Sequence, residues 1–579
     1  MRPADSLRSW LRRPRAWEAG TAVAAVALYL RTVGFGWVYD DLMEVVLNTF
    51  IRSFSHLGEI FTTTVWSGSG METFLYRPLA LVTYALNYQV SGAEPWSYHL
   101  VNVLLHAGAS VLVVRLGLLW RLPVVAAGLG GLLFAAHPIH VEAVAAVFGR
   151  KDLLAALFVL AFALTHRGAL VRGGWRRAAA PVLLLAAMLS KEVGVVGLAL
   201  VVAQDLWLET DRRAFLARRE VPLLYASYLA VATLFLLART SVTGGLGIPD
   251  TSFWDNPLVS ATVGVRVATA LVVVGKGLAL LVAPLGQSPD YSFDAIPVVS
   301  SPLDPRFLTT ALVLAGIAAL LATRRLRATA LPLATAWYAL ALLPASNLLV
   351  VTGTIFAERL LYLPSVAFCL LAGAGLAWAA ERRRRWGTSL AVLAFVGLGA
   401  GTLSYARFWT DDVTLFRRAA AAVPTSTKAH HKLGEELLRR GELGDALRSL
   451  DRALEIAPEN AFASVTREQA RAAVVQRFGP TPVAPSQPLP EGVRDDAEIL
   501  CVLGLFRAQQ GETAEALRLL EAAVEARPTL AEAWFNLGAL RLEAGDGDAG
   551  RAALARFVAL AGSRFPTEVV WARSVLARP

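Results

Sequence analysis

The chain has 579 residues, of which 55% are hydrophobic and only 17% are charged, and its mean hydropathy is +0.51. This composition excludes an ordinary soluble enzyme of the same length, which needs more charge to stay dispersed. The net charge of +10 does not indicate nucleic-acid binding, because the arginines cluster at the ends of apolar runs, as in the cytoplasmic loops of membrane proteins.

Long apolar runs recur from Thr21 to about Tyr405, and several reach the ~20 residues that a membrane helix needs. After Tyr405 charges become frequent and amphipathic helical patterns replace continuous apolar ones. We therefore predict an all-α fold in two domains, a polytopic membrane helix bundle at 1–405 and a soluble tail at 406–579. Cys369 and Cys501 fall in different domains, so no disulfide or thiolate metal site is expected.

Eleven apolar stretches are predicted to span the membrane. They are 17–36, 99–120, 123–137, 152–167, 177–190, 193–209, 221–239, 307–323, 328–345, 361–380 and 386–404. The first lacks a small-residue cleavage site after it and is interpreted as a retained helix. The apolar stretch 256–284 is interpreted as a re-entrant or interfacial element, because counting it as a span would move Arg324–Arg327 to the outer face.

Five arginines precede the first span and place the N-terminus in the cytoplasm. An odd number of spans then puts the tail on the outer face. In a bacterium this is the periplasmic face of the inner membrane, and in a eukaryote it is the lumen of the endoplasmic reticulum. Most of the unusual polar residues fall in the loops of this same face.

The tail has the residue pattern of tetratricopeptide (TPR) repeats, which form α-solenoids. Leu433-Gly434, Ala446 and Pro458 mark a first repeat at 427–460, and equivalent residues mark a second at 497–530. A third, less regular repeat covers 531–564, and the proline-rich stretch 479–492 is predicted to be a linker. Such arrays bind peptides or partner proteins on a concave surface, although a purely structural tail is the simpler alternative.

Two adjacent carboxylates, Asp40 and Asp41, follow the first span directly. Carboxylates at this depth are costly unless they have a use, and one of them could activate an acceptor hydroxyl as a general base. The simpler interpretation is a cap on the following helix.

Basic residues on the outer face oppose the usual charge bias and would suit a lipid phosphate. The candidates are Arg359, Lys191, Arg77 and Arg150, with Glu358 and Glu192 beside them. Simple pairing of Lys191 with Glu192 or Glu358 is the alternative.

The outer turns also contain Tyr98-His99 and the run His137 to Glu142. His137 and His140 could hold a metal with Glu142, but hydrogen-bonded interfacial histidines are commoner, so no metal site is predicted. Tyr98 would also suit an ordinary aromatic belt.

The ordered set of motifs resembles the transmembrane and TPR-containing O-mannosyltransferases (the TMTC family), of the GT-C class of membrane glycosyltransferases. The motifs include Tyr39-Asp40-Asp41, Tyr76-Arg77-Pro78-Leu79, Tyr98-His99, His137 to Val144, Gly149-Arg150, Ser190-Lys191-Glu192, Asp290-Tyr291-Ser292 and Glu358-Arg359. The chain departs from the family in its short, interrupted repeats and in Lys151, where a small residue is more usual. Its composition suggests a bacterial member.

The resemblance implies inverting transfer of a sugar, mannose in this family, from a polyprenyl-phosphate carrier to Ser or Thr of a protein held by the repeats. It implies the pair Asp40-Asp41 as the catalytic centre. We hypothesise that one of these aspartates is the base and that Arg359, Lys191, Arg77 and Arg150 bind the donor phosphate. Glu358, Glu192, His137, His140, Glu142, Tyr98 and His99 would support them. No cofactor is expected, although a divalent metal stays possible. The alternatives are a ligase or polymerase of lipid-linked polysaccharide and a non-catalytic membrane scaffold.

Overall fold

A computed structural model describes residues 13–245, 251–479 and 489–578. Within these ranges the chain is helical and has no strand, which confirms the predicted all-α fold. It forms two compact units, Met1–Val423 and Pro424–Pro579. The boundary lies beyond the change of composition at residue 405, because the helix Asp412–Ala422 packs with the first unit through Phe416 and Tyr39.

The first unit is a bundle of helices joined by loops that contain shorter helical turns. Its helices of ten or more residues are α1 Pro14–Tyr29, α2 Pro78–Ser91, α3 Trp96–Leu119, α4 Val124–Ala136, α5 Arg150–Arg172, α6 Arg176–Ser190, α7 Val196–Leu208, α8 Glu220–Thr243, α9 Val263–Val282, α10 Pro305–Ala322, α11 Leu331–Leu342, α12 Ser365–Arg382, α13 Arg384–Ala406 and α14 Asp412–Ala422.

Among the described residues, six helices are long and apolar enough to cross a membrane: α3, α5, α8, α9, α10 and α13. The pair of α4 and Pro138–Ala145, bent by 51°, makes a seventh if it counts as one span. The predicted count of eleven is therefore larger than these criteria support. The other predicted spans fall on helices such as α6 and α7, whose 15 and 13 residues rise only about 20 Å, less than a typical hydrocarbon core.

Helix α9 covers most of the stretch that the sequence predicts to be re-entrant or interfacial. By length and composition it meets the same criteria as the spans. However, two residues of α9 that are 12 positions apart are hydrogen-bonded to the loops that connect other helices. Val299 N donates to Thr269 Oγ1 at 2.9 Å, and His137 Nε2 donates to Leu281 O at 2.9 Å. The interfacial placement of α9 stays a prediction.

The second unit is a series of antiparallel helices. They are α15 Thr427–Arg439, α16 Leu443–Ile456, α17 Ala461–Phe478, α18 Ala497–Gln509, α19 Thr513–Ala526, α20 Ala531–Glu543, α21 Gly547–Leu560 and α22 Pro566–Leu576. Each predicted repeat coincides with one helix pair. Helix α17 was not predicted, and most of the predicted linker, 480–488, lies outside the described residues.

One glycine recurs at the same place in each helix pair of the second unit. A Cβ on Gly434 would lie 2.5 Å from Leu450 Cγ, and on Gly504 or Gly538 it would lie 2.8 Å from Leu520 Cγ or Leu554 Cγ. Real Cβ atoms do not approach carbon this closely, so only glycine lets the two helices pack at this distance. This contact explains why the Leu-Gly pairs marked the repeats in the sequence.

Candidate active site

A cavity of about 680 Å³ lies in the first unit. Its wall combines the segment after α1, the first turns of α5, the residues after α6, and loops at 251–255 and 341–363. The charged residues that line it are Asp40, Glu72, Arg77, Lys151, Asp152, Lys191, Glu192, Asp255 and Arg359. The cavity thus brings together five residues that the sequence selected, from four separate segments: Asp40, Arg77, Lys191, Glu192 and Arg359.

The two adjacent aspartates have different environments. Asp41 is fully buried, and its carboxylate accepts hydrogen bonds from the backbone N–H groups of Val38 (3.0 Å), Val147 (3.3 Å) and Phe148 (2.6 Å). Asp40 is half-buried and lines the cavity, and no described residue donates a hydrogen bond to its carboxylate or forms an ion pair with it. Asp40 is therefore available to a substrate, whereas Asp41 anchors the loop.

An unusual backbone conformation precedes the two carboxylates. Tyr39 has φ of 55°, in the left-handed region that non-glycine residues seldom adopt. Its N–H donates to Asp412 Oδ1 at 2.7 Å, and its ring packs edge-on against Phe148 and Phe416. These contacts hold a conformation that is unfavourable alone and that occurs typically at functional sites.

Each cation selected from the sequence at the cavity is held by a carboxylate from another segment. Arg77 Nε donates to Glu192 Oε2 at 3.2 Å, and Lys191 Nζ donates to Asp152. Arg359 donates to Glu142 through its guanidinium and, at 2.9 Å, through its backbone N–H. Lys191 therefore pairs with neither Glu192 nor Glu358. Because a guanidinium has five N–H donors and an ammonium three, each cation keeps donors for an anion in the cavity.

The environment of the cavity changes the pKa of Lys191. Burial lowers the pKa of Lys191 to about 8; the adjacent Asp152 carboxylate opposes this shift, and the positive charges of Arg77 and Arg359 add to it. Lys191 is therefore a cation below about pH 8 and loses its charge above it.

Arg150 lies outside the cavity lining, unlike the other three basic residues selected from the sequence. Its side chain is fully buried, and it donates to Asn102 Oδ1 (2.9 Å), Asn87 Oδ1 (2.5 Å) and Tyr98 O (2.7 Å). The guanidinium also stacks on Tyr84 at 4.7 Å. Arg150 thus ties α2 and α3 to the start of α5, and its role as a phosphate ligand stays a prediction.

Glu358 also lies outside the cavity lining. Its carboxylate accepts from Tyr291 Oη (2.7 Å), Gln287 Nε2 (2.8 Å) and the backbone of Ser288 (3.2 Å), which fixes the loop at 287–291. Burial raises the pKa of Glu358 to about 8, and the donor from Tyr291 opposes this shift. Glu358 therefore anchors the segment that carries Arg359.

The histidines selected from the sequence are buried and hydrogen-bonded to backbone. Nδ1 of His137 accepts from Ile139 N, Nδ1 of His140 donates to Phe134 O, and Nε2 of His99 donates to Gly36 O. Glu142, the possible third ligand, instead accepts hydrogen bonds from Arg359. In the described ranges no three His, Cys, Asp or Glu side chains are grouped as a metal site. Tyr98, whose hydroxyl donates to Gly92 O, packs against Arg150.

Four charged residues of the cavity wall were not selected from the sequence: Glu72, Lys151, Asp152 and Asp255. Lys151 and Asp152 belong to the first turn of α5, and Lys151 Nζ donates to the buried Glu44. Their sequence signal was available, because ionisable residues at the start of an apolar span are rare and commonly functional. In the cavity wall, Asp152 Oδ2 and Thr251 Oγ1 are buried and have no hydrogen-bond partner among the described residues.

The fold and cavity define a multi-pass helical membrane protein with a charged cavity and a helical-repeat unit. A family model described as "Protein O-mannosyl-transferase TMTC, DUF1736" matches residues 245–318, which include one cavity loop and α9. The resemblance to the TMTC family predicted from the ordered motifs is confirmed by this match and by relatives along most of the chain.

Three relatives illustrate the extent of the similarity. Protein O-mannosyl-transferase Tmtc3 of Drosophila melanogaster is 28% identical over 516 residues, which cover 76% of this chain and 55% of the relative. Protein O-mannosyl-transferase TMTC3 of Homo sapiens is 28% identical, with 89% and 61% covered. Human TMTC4 is 29% identical, with 73% and 64% covered. The chain thus spans less than two thirds of the length of these relatives.

Proposed function

We propose that this protein transfers mannose from a polyprenyl-phosphate carrier to Ser or Thr hydroxyls of a protein. The relatives are named protein O-mannosyl-transferases. The observation that carries the proposal is the cavity, in which the Asp40 carboxylate, paired with no described residue, shares one wall with Arg77, Lys191 and Arg359. A carboxylate base and a set of cations are the groups that transfer from a phosphate leaving group requires.

The apolar part of the wall supports a lipid-linked donor. Ala155, Ala156 and Val159 continue from Asp152 along one face of α5, and Ala341 and Leu363 also line the cavity. Small and apolar side chains below a charged end suit a polyprenyl chain below its phosphate. The proposal includes neither a nucleotide-sugar nor a cofactor.

The proposed reaction is a single displacement at the anomeric carbon. Asp40 accepts the proton of the acceptor hydroxyl, whose oxygen forms a bond to the anomeric carbon on the face opposite the phosphate. The bond from that carbon to the phosphate oxygen breaks, and polyprenyl phosphate leaves with the electron pair. Arg359, Lys191 and Arg77 stabilise the charge that develops on this phosphate. The configuration at the anomeric carbon is inverted.

The reaction is tested in vitro with the purified protein, polyprenyl phosphates that carry mannose, glucose or galactose, and a periplasmic protein rich in Ser and Thr. Intact-protein mass then reports each transferred hexose. Mannosylated protein supports the proposal. Absence of transfer from every lipid-linked sugar, with surface polysaccharide lost in a deletion strain, would favour the polysaccharide ligase instead.

The KM for the donor is expected to depend on pH, because Lys191 changes its charge near neutral pH. Since its pKa is lowered to about 8, its charge is present below that pH and lost above it. We expect KM for the donor to rise at least fivefold between pH 7 and pH 9.5 in the wild type. Lys191→Arg keeps its charge over this range, so its donor KM should stay constant. A steep rise of KM in both proteins would mean that another group titrates.

The second unit is proposed to bind the acceptor protein, on the periplasmic face of the membrane in a bacterium or on the lumenal face in a eukaryote. Two neighbouring exposed apolar residues on one of its helices support the proposal, since contiguous exposed apolar surface marks binding sites. On α17, Phe462 is 69% exposed and Val465 is 59% exposed, one turn apart. Binding there would raise the local concentration of the acceptor.

We expect the double variant Phe462→Ser, Val465→Ser to raise KM for a protein acceptor about tenfold. KM for a short Ser/Thr peptide should stay unchanged, because the peptide reaches only the cavity. Val570→Ser on α22 is the matched control, since Val570 is 70% exposed in the same unit. An equal effect on protein and peptide acceptors would contradict acceptor binding by α17.

A further inference from the structure

Asp152 lies in the cavity wall, and only one of its two carboxylate oxygens has a hydrogen-bond partner among the described residues. It belongs to the first turn of α5, and the residue is 7% exposed. Oδ1 accepts the hydrogen bond from Lys191 Nζ, which fixes the carboxyl plane. Oδ2 is buried and has no hydrogen-bond partner among the described residues.

A buried carboxylate oxygen without a donor is costly, and native structures almost always provide one, from the protein or from a ligand. Asp205 gives a comparison within the same unit. Its Oδ2 pairs with His166 and Tyr225, while its Oδ1 is likewise buried and has no partner among the described residues, but Asp205 does not line the cavity. Of these two aspartates, only Asp152 belongs to the wall of the cavity.

The charges around Asp152 indicate what kind of donor is missing. Lys191 already supplies the Asp152 carboxylate with a counter-charge through Oδ1, and Arg77 and Arg359 are close enough to lower the pKa of Lys191, so the carboxylate does not need a second cation. The missing donor is therefore a neutral one, and a hydroxyl group is the simplest. The side chains that follow on this face of α5 are Ala155 and Ala156, which leave room for a ring beside the carboxylate.

We propose that Asp152 binds a hydroxyl of the transferred sugar through Oδ2, while Lys191, held on Oδ1, contacts the donor phosphate. This inference rests on the proposed function. It makes Asp152 a specificity-determining residue, because one side chain then couples the position of the sugar ring to that of the leaving group. The chemical class of ligand is a neutral hexose hydroxyl next to a phosphate.

The test uses polyprenyl-phosphate mannose and its 2-, 3-, 4- and 6-deoxy analogues with the full-length protein. In the wild type, loss of one particular hydroxyl should lower kcat/KM about 10- to 100-fold, as expected for a hydrogen bond to a charged group. In Asp152→Asn the same analogue should differ from mannose by less than threefold. Lys191→Gln should weaken all donors alike and retain the penalty for that hydroxyl.

Asp205→Asn is the matched control, because it changes a half-partnered buried carboxylate outside the cavity. It should keep the full hydroxyl dependence of the wild type. The inference is overturned if every deoxy donor is within threefold of mannose in the wild type, or if Asp152→Asn keeps the penalty. The Kd of each donor is measured in parallel. These values show whether binding depends on one hydroxyl even if no transfer occurs and the proposed function fails. Asp152→Ser replaces Asp152→Asn if the latter does not fold.

Discussion

Replacing Asp40 by asparagine is expected to lower kcat about 10³-fold while leaving the fold intact. An asparagine at this position keeps the size of the side chain but cannot accept the proton of the acceptor hydroxyl, and general bases contribute about 10² to 10⁴ to the rate. Because no described residue is hydrogen-bonded to the Asp40 carboxylate, the substitution breaks no hydrogen bond among the described residues. The melting temperature should therefore match that of the wild type.

Asp41→Asn is the matched control, an identical change at the adjacent position. Both oxygens of Asp41 accept hydrogen bonds from the backbone N–H groups of Val38, Val147 and Phe148, and asparagine replaces one of these oxygens by an NH2 group. At least one buried backbone N–H group then has no acceptor, which lowers the free energy of unfolding by about 2 kcal/mol or more. We expect a lower melting temperature but a near-normal kcat per folded molecule. Full transfer activity in a folded Asp40→Asn protein would disprove the proposed base, and a thousandfold loss confined to Asp41→Asn would transfer the role to Asp41.

The second large effect is expected at Arg359. Arg359→Gln should lower kcat/KM for the donor about 10²- to 10³-fold, because it removes a fixed positive charge from the leaving phosphate. The guanidinium is preorganised for this role, since Glu142 holds one side of it and its carbon lies 5.3 Å from the centre of the Phe148 ring. Arg359→Lys keeps the charge without the planar donors and should recover part of the activity.

Arg167 provides the control for Arg359. It pairs with Glu209, and its side chain is 20% exposed, close to the 17% of Arg359, but it does not line the cavity. Arg167→Gln should therefore change kcat/KM less than twofold. Equal losses in the two variants would show that breaking a half-buried ion pair, rather than losing a phosphate ligand, explains the effect.

The positions of the helices followed largely from local patterns in the sequence. Apolar runs located the membrane helices, because burial in lipid requires a continuous apolar surface. The spacing of Leu-Gly pairs located the repeats, because close helix packing requires glycine at fixed intervals. The number of spans was not determined in this way, since α6, α7 and α11 are apolar but short.

The candidate site was predicted in part. Asp40, Arg77, Lys191, Glu192 and Arg359 were selected because charges near the ends of apolar runs are costly, and the fold places all five at one cavity. Arg150, which was selected for the same reason, is fully buried and lies outside the cavity lining. The selection also omitted Asp152, although ionisable residues at the start of an apolar span are rare and commonly functional.

Residue patterns alone identified the class of protein: a membrane helix bundle with TPR-like repeats and a resemblance to the TMTC family. Composition and periodicity are sufficient for the bundle and the repeats, because they record which surfaces face lipid, water and other helices. Only the tertiary structure distinguished Asp40 from its neighbour Asp41. The two carboxylates are chemically identical and adjacent in the chain, and they differ in the backbone N–H groups that the fold brings to one of them.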